Sequence, residues 1–413
     1  MDFIDKDENK KLPVRVQHYI SQGILRLFSE NKQSVFEFNL ENNRVYRTGI
    51  SSTMSKKFTY EHPFLPGNAL ENAFKKIEDK FIPKIKSIVE LLDNDNVVNA
   101  QKVIESILTE VLLFYYRSGA TLYEFSDNDE FGSPIVIENM LKRISDYRYL
   151  TRLTATIVTD YSFVILKSKN NEFLLSDQYI STASLNCKGK IANFSNRTIG
   201  FSNCLILIPL SAKYYVAYFN GNFPLSKPIN PNIIYDLTES DLLSLNKVII
   251  RNSYKKCISM HQDVLETVKE YKTSICGTAE TIMAYSNGSY QSYTVKKEVF
   301  YRDIDQDIYE NFITYYGSMA QFKKINHREI GRNDLCLCGS NKKFKKCCIE
   351  KYKQAKYICD TIKTGNTAWL HTKSNFVEMP IHAFWGLETD LPEKQHKLIN
   401  DLREATHDTD LKI

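Results

Sequence analysis

The stretch SFVILKSKNNEFLL, residues 162–175, decides the fold of this chain. Two short apolar runs flank a polar turn at 168–171, and the spacing predicts paired strands over 162–167 and 172–175. Two further runs, CLILIPL (204–210) and YYVAYF (214–219), read as another strand pair broken at Pro209, Ser211 and Lys213. Upstream the period is different. Leu70, Phe74, Ile77, Phe81, Ile85, Ile88 and Leu92 form one helical stripe, with Asn68 as a cap and a kink expected at Pro83. Residues 98–117 read as a second, more apolar helix that Gly119 ends, and 135–153 as a third. A fourth starts near Thr238 and carries Leu242, Leu245, Ile249 and Tyr254. Helices, then strands, then helices predict an α+β body of mixed helices and antiparallel sheet, without the alternation of a doubly wound fold.

Outside this frame the signals are shorter. Residues 14–28 carry Ile20, Ile24, Leu27 and Phe28 at helical spacing, and 35–40 with 44–47 read as a hairpin around Glu41-Asn42-Asn43. Residues 220–232, rich in Pro and Asn, read as a loop, and Asn287-Gly288 as a hairpin turn. Helices are expected at 306–316 and 352–362. The resulting division is a polar leader (1–13), the body (14–325), a cysteine-bearing module (326–350) and a C-terminal helix and tail (351–413).

A quarter of the 413 residues are charged and 43% are apolar, enough for a substantial core and too polar for a membrane-embedded chain. No apolar run reaches the roughly 20 residues that a spanning helix requires. The opening MDFIDKDENKK is charged and lacks the apolar segment of a secretion signal, so a cytoplasmic location is expected. The net charge of +5 is too small to argue for nucleic acid by itself, because much of the excess is local to the lysines between 342 and 356.

That local excess lies beside four of the nine cysteines, in GRNDLCLCGSNKKFKKCCI (331–349). Cys336 and Cys338 are separated by one residue; after eight intervening residues Cys347 and Cys348 stand adjacent. Two close pairs joined by a short loop can wrap a tetrahedral Zn²⁺ through four thiolates. Adjacent cysteines make poor disulfide partners, and a closed four-thiolate shell leaves no open position for catalysis. The segment resembles the SEC-C motif, the small zinc-binding tail first known at the end of the SecA translocation ATPase, usually GRNDPCPCGSGKKYKKCH. Leu335 and Leu337 stand at its usual prolines, Asn341 at a glycine, Phe344 at a tyrosine and Cys348 at the commoner histidine. The resemblance implies docking to a protein partner or the ribosome. In physical terms, a metal-stiffened knuckle displaying Arg332, Lys342, Lys343, Phe344, Lys345 and Lys346 suits an acidic protein surface or nucleic-acid phosphates.

Pieces of the body, QHYISQGILRLFS, LENAFKKIE, FLLSDQYI, LIPLSAK and LLSLNKVIIRNS, are similar to a bacterial family known as domain of unknown function 4238. That resemblance implies no activity. In that family the first piece usually reads His-x-x-Pro; here Ser21 takes the proline position. Four polar residues on these pieces are candidates for chemistry: His18, Glu71, Glu78 and Asp177. Glu71 and Glu78 are seven apart, hence on one helix face. With His18 and Asp177 they would hold Mg²⁺ or Mn²⁺ for phosphodiester hydrolysis, or run acid–base catalysis. Against this, Glu71 has Lys75 four residues on, Asp177 suits an Asx turn, and Asn246 can bond backbone.

Two functions therefore compete, ahead of a third, a nucleic-acid binder without catalysis, which is weaker because the basic residues of the body are diluted by acids. In one, the SEC-C module docks a protein partner, the ribosome or a nucleic acid and targets the body. In the other, the body is a metal-dependent nuclease or hydrolase of a toxin or phage-defence type. Phosphate-loop, dinucleotide-binding, serine-hydrolase and His-Glu-x-x-His signatures are absent from the sequence. The oligomeric state is not encoded in any of these patterns.

Overall fold

The computed structural model describes residues 16–307, apart from 58, 62–66, 119–136, 138–139, 142–146, 186–198, 200–202, 231–232, 273–277, 287–288 and 297–298, together with 331–335, 342–347 and 349. The body is α+β. Its first unit departs from the expected helix: β1 (Val16–His18) pairs antiparallel with β4 (Ser55–Lys57), and only α1 (Gln22–Leu25) and a 3₁₀ turn over Arg26–Phe28 follow. The Ser21 hydroxyl caps α1 by accepting from the amide of Gly23. Gly23 is required here, since a β-carbon would come within 2.8 Å of the Ile82 side chain.

The stripe that predicted the long helix is the face it buries. α2 (Ala69–Asp93) turns Leu70, Phe74, Phe81, Ile85, Ile88 and Leu92 into the core and continues through Pro83. Both Pro83 and Asp79, whose carbonyl the proline cannot bond, are exposed, so water can serve the freed acceptor. Asn68 precedes the helix in the left-handed region, φ 62°, and its side chain does not cap it. The single helix expected over 98–117 is two: α3 (Val97–Ser106), capped by Asn96, and α4 (Leu108–Tyr116), separated at Ile107, φ −114° and ψ 6°. α4 is apolar all round because Leu108 and the six residues Val111 to Tyr116 are all buried. α5 (Tyr147–Asp160) then leads into the sheets.

The largest sheet has five strands in the order β10 (Ile234–Asp236), β5 (Ser162–Lys167), β9 (Tyr214–Asn220), β8 (Cys204–Pro209) and β7 (Ser181–Ser184). β10 runs parallel to β5 and the other neighbours are antiparallel. A second, antiparallel sheet has the order β3 (Arg44–Gly49), β2 (Ser34–Asn39), β11 (Lys256–Ser259) and β6 (Leu175–Ser176). The hairpins 35–40/44–47 and 204–210/214–219 form as the patterns predict; the pairing of 162–167 with 172–175 does not. β5 takes β9 and β10 as partners, while Leu175 and Ser176 join Ile258 and Cys257 of the other sheet. The amides of Ser168 and Phe173 donate to the carbonyls of Lys213 and Ala212, so the chain between the runs is fastened to the β8–β9 turn and passes from one sheet to the other.

α6 (Glu239–Asn252) starts on a capping box, Thr238 with Asp241, and packs across both sheets through two buried asparagines. The Asn246 carboxamide accepts from the amide of Leu174 (3.2 Å) and donates to the carbonyl of Glu172 (2.9 Å). Asn252 does the same to Thr182 (3.1 and 2.9 Å). Thus a helix side chain replaces a missing strand partner on each side of the sheet crossing. Beyond α6 lie α7 (Gln262–Val268) and the antiparallel hairpin of β12 (Thr278–Ser286) with β13 (Ser289–Lys296), on either side of the expected Asn287-Gly288 turn. The expected helix at 352–362 lies outside the described residues, as does most of that at 306–316.

Candidate functional site

Three of the four candidate body residues come together. α2 and the β1–α1 connection enclose a cleft of about 400 Å³ lined by His18, Ser21, Arg26, Glu71, Lys75 and Glu78, with Phe74 at its wall. The helical spacing that placed Glu71 and Glu78 on one face holds, and β1 supplies His18. The ring Nε2 of His18 lies 3.1 Å from the carbonyl oxygen of Ile50. Because a carbonyl only accepts, Nε2 carries the proton and Nδ1 is left as an acceptor in the neutral ring. Burial lowers the His18 pKa below 6.5, against an opposing bond to Ile50. Glu71 makes no hydrogen bond or ion pair among the described residues, and burial raises its pKa above the ordinary carboxyl value.

Glu78 has the opposite environment. Its Oε2 accepts from the Ser21 hydroxyl at 2.9 Å, and its Oε1 meets Nη2 of Arg117 at 2.5 Å. Arg117 is 1% exposed. Its guanidinium carbon lies 4.4 Å from the ring centre of Phe74 and 4.6 Å from that of Phe114, so aromatic faces replace water around the charge. Nε and Nη1 of Arg117 have no partner among the described residues. Neither Arg117 nor Ser21 was among the candidates for chemistry, although Ser21 stands at the family's usual proline position. The available signal for Arg117 was a cation directly closing the apolar run LTEVLLFYY.

Asp177 does not join this cleft. Wholly buried, it accepts from the amides of Tyr254 (2.9 Å), Lys255 (2.8 Å) and Lys256 (3.0 Å), where α6 gives way to β11. Its two oxygens are committed to backbone. Among the described residues no group of three or more His, Cys, Asp or Glu side chains is placed to hold a metal ion. A divalent cation between Glu71 and Glu78 would also face the guanidinium already paired with Glu78.

At the C-terminal module, residues 331–335 fold back on 343–345. Leu335 bridges antiparallel to Lys343, the amide of Phe344 donates to the carbonyl of Asp334 (2.8 Å), and that of Lys345 to Arg332 (3.0 Å). Arg332, Lys342, Lys343, Lys345 and Lys346 are exposed, whereas Phe344 is 3% exposed. Phe344, expected on the docking face, is instead turned inward at the start of a 3₁₀ turn that ends at Cys347. The chain entering Cys336 thus lies against the chain leading to Cys347, and a donor set of four thiolates fits Zn²⁺. Cys347 is partly exposed; Cys336, Cys338 and Cys348 lie outside the described residues.

Comparison with known proteins yields two matches along the chain. Residues 16–263 match the model of a family described as "Protein of unknown function (DUF4238)", and residues 332–350 match the SEC-C motif. The chain is similar to the protein translocase subunit SecA of Endomicrobium trichonymphae, 24% identical over 340 residues, or 79% of this chain and 33% of that one. It is also similar to a UPF0225 protein of Vibrio parahaemolyticus, 62% identical over 26 residues, and to one of Vibrio vulnificus, 58% identical over 26; each covers 6% of this chain and 16% of the relative. The chain therefore spans a third or less of the curated relatives it matches. No solved structure matches. Among the described residues no helix is long and apolar enough to cross a membrane.

Proposed function

We propose, for a chain that belongs to the DUF4238 family of proteins of unknown function, that its SEC-C module is a zinc-stiffened basic tip that docks the body on a polyanionic surface. RNA, ribosomal RNA included, carries one phosphate per nucleotide and is such a surface, and a cytoplasmic setting would keep the thiolates reduced for the metal. The observation that carries this reading is the division of labour along 342–346: four lysines face solvent while Phe344 is buried. With Phe344 turned inward, the exposed side chains described at the tip are Arg332 and four lysines around a single exposed aliphatic group, Leu335 (65% exposed), a balance that favours phosphate contacts over hydrophobic docking to a protein groove.

Cys336, Cys338, Cys347 and Cys348 would hold the metal, which supplies folding energy and no chemistry. The tip is then a shape as much as a charge, and it depends on zinc. The test is RNA binding by the full chain before and after zinc is stripped with a chelator. Stoichiometric zinc, loss of affinity on stripping and recovery on adding zinc back support the reading; a zinc-free chain that binds RNA equally well contradicts it. A metal-dependent hydrolase in the body is the weaker reading, since Asp177 is committed to backbone and Glu78 to Arg117.

A further inference from the structure

The cleft between α2 and the β1–α1 connection has a use that the docking tip does not explain. Its lining holds an imidazole, His18, whose Nδ1 is an acceptor, and a carboxyl, Glu71; neither Nδ1 nor Glu71 has a hydrogen-bond partner among the described residues. Its rim carries two exposed cations, Arg26 and Lys75. Arg26 is engaged only with Gln22, and Lys75 has no partner among the described residues. Behind the floor, the buried Arg117 contacts Phe74 and Glu78 and approaches the His18 carbonyl, all cleft residues, with two nitrogens unsatisfied. Burying a guanidinium in this state is expensive unless something else is gained.

The other nucleophiles in the cleft are occupied. The Ser21 hydroxyl donates to Glu78 and accepts from Gly23, so it is a cap and a strut. With no free hydroxyl or thiol in the cleft lining and no metal-ligand cluster among the described residues, a phosphodiester is best cleaved by a nucleophile the substrate brings with it. RNA has one, its 2′-hydroxyl.

We propose that this cleft is a metal-independent RNA-cleaving site in which His18 is the general base and Glu71 the general acid, with Arg26 and Lys75 holding the phosphate. Nδ1 of His18 takes the proton of the 2′-hydroxyl; O2′ forms a bond to phosphorus as the P–O5′ bond breaks. The Glu71 carboxyl gives its proton to O5′. The products are a 2′,3′-cyclic phosphate and a 5′-hydroxyl, and His18 returns its proton to Glu71 through solvent. One proton is shared by the pair, so the rate follows a bell whose limbs are the carboxyl and the imidazole. Burial moves the limbs towards each other, Glu71 up from 4.5 and His18 down from 6.5, which gives a narrow optimum at mildly acidic pH. The charges facing His18 are Glu78, Arg26 and Arg117; those facing Glu71 are Arg117, Glu78, Glu61 and Lys75.

The experiment uses the full zinc-loaded chain, end-labelled single-stranded RNA and DNA of one sequence, and buffer without added divalent cations. The expected result is RNA cleaved to cyclic-phosphate ends, DNA intact, and a rate lowered on the order of 100-fold or more by Glu71→Gln and by His18→Gln. Glu71→Gln removes no contact among the described residues, and the glutamine amide at position 18 reaches about as far as Nε2 and can still donate to Ile50, so both variants should keep the wild-type melting temperature. A zinc-loaded chain that binds RNA without cleaving it would overturn this proposal and leave the docking one standing. Intact RNA, cleavage that both variants retain, or cleavage that requires added Mg²⁺ or Mn²⁺ would each overturn it.

Discussion

Nη2 of Arg117 stands 2.5 Å from Oε1 of Glu78, joining the end of α4 to the middle of α2, and the arginine is 1% exposed while the glutamate is 24% exposed. The pair is what closes the rear of the cleft. Removing the carboxylate leaves a desolvated guanidinium whose remaining hydrogen-bond contact among the described residues is the long one to the His18 carbonyl. Glu78→Ala is expected to cost about 2–4 kcal/mol, below the full penalty for a buried pair because Glu78 keeps some water. Urea denaturation measures it; a loss within 0.5 kcal/mol, the usual scale of surface changes, would show that water already serves Arg117.

Asp177 is expected to be a structural anchor. Asp177→Ala strips the acceptors from three consecutive amides at the α6–β11 junction, at a cost of about 3–5 kcal/mol. Asp177→Asn, which keeps one acceptor oxygen, should lose less, and the folded fraction of either variant should retain RNA cleavage. A variant as stable as the wild type but inactive would instead place Asp177 in the chemistry.

The asparagine clamps make a graded test. Asn252→Leu keeps the branching of the native side chain but removes its bonds to the amide and carbonyl of Thr182, at about 2–3 kcal/mol. Asn246→Leu acts likewise on Leu174 and Glu172. Amide hydrogen exchange should rise at Leu174 in the second variant and at Thr182 in the first. Exchange rising across the whole body in both would point to global destabilisation and against local clamps.

Acid should weaken the α6 capping box. Burial pushes Asp241 up, but hydrogen bonds from Thr238 and Ser226 outweigh it and hold its carboxyl below 3.8. A depressed carboxyl contributes stability above its unfolded value and loses that contribution as pH falls through the folded one. Asp241→Asn should therefore be less stable than wild type near neutrality, with the gap closing below about pH 4. A gap independent of pH would show that shape alone, not charge, holds the cap.

These residues also show what could be read in advance. The α2 stripe, the 35–47 hairpin, the β8–β9 pair and the Thr238 start of α6 are local patterns, and the structure keeps them. The partner of Leu175 is not local: its strand is completed by Ile258 and by Asn246, more than seventy positions away, so the nearest run, 162–167, looked like the mate. Ile107 carries no break signal, and tertiary packing alone divides α3 from α4. In the cleft, helical periodicity put Glu71 and Glu78 side by side, but only the fold pairs Glu78 with Arg117 and withdraws Asp177. At the tip, the lysine spacing gave the charge, whereas the inward turn of Phe344 follows from backbone bonds that link 331–335 to 343–345.

The docking account is tested most directly by the salt dependence of RNA affinity, compared between the full zinc-loaded chain and one in which Lys342, Lys343, Lys345 and Lys346 are all glutamate. For single-stranded RNA each phosphate contact contributes about 0.7 to the slope of log affinity against log salt. The wild-type slope should exceed that of the variant by up to about 3, with weaker binding by the variant at every salt concentration. Equal slopes and equal affinities would contradict the claim that this tip docks on phosphates.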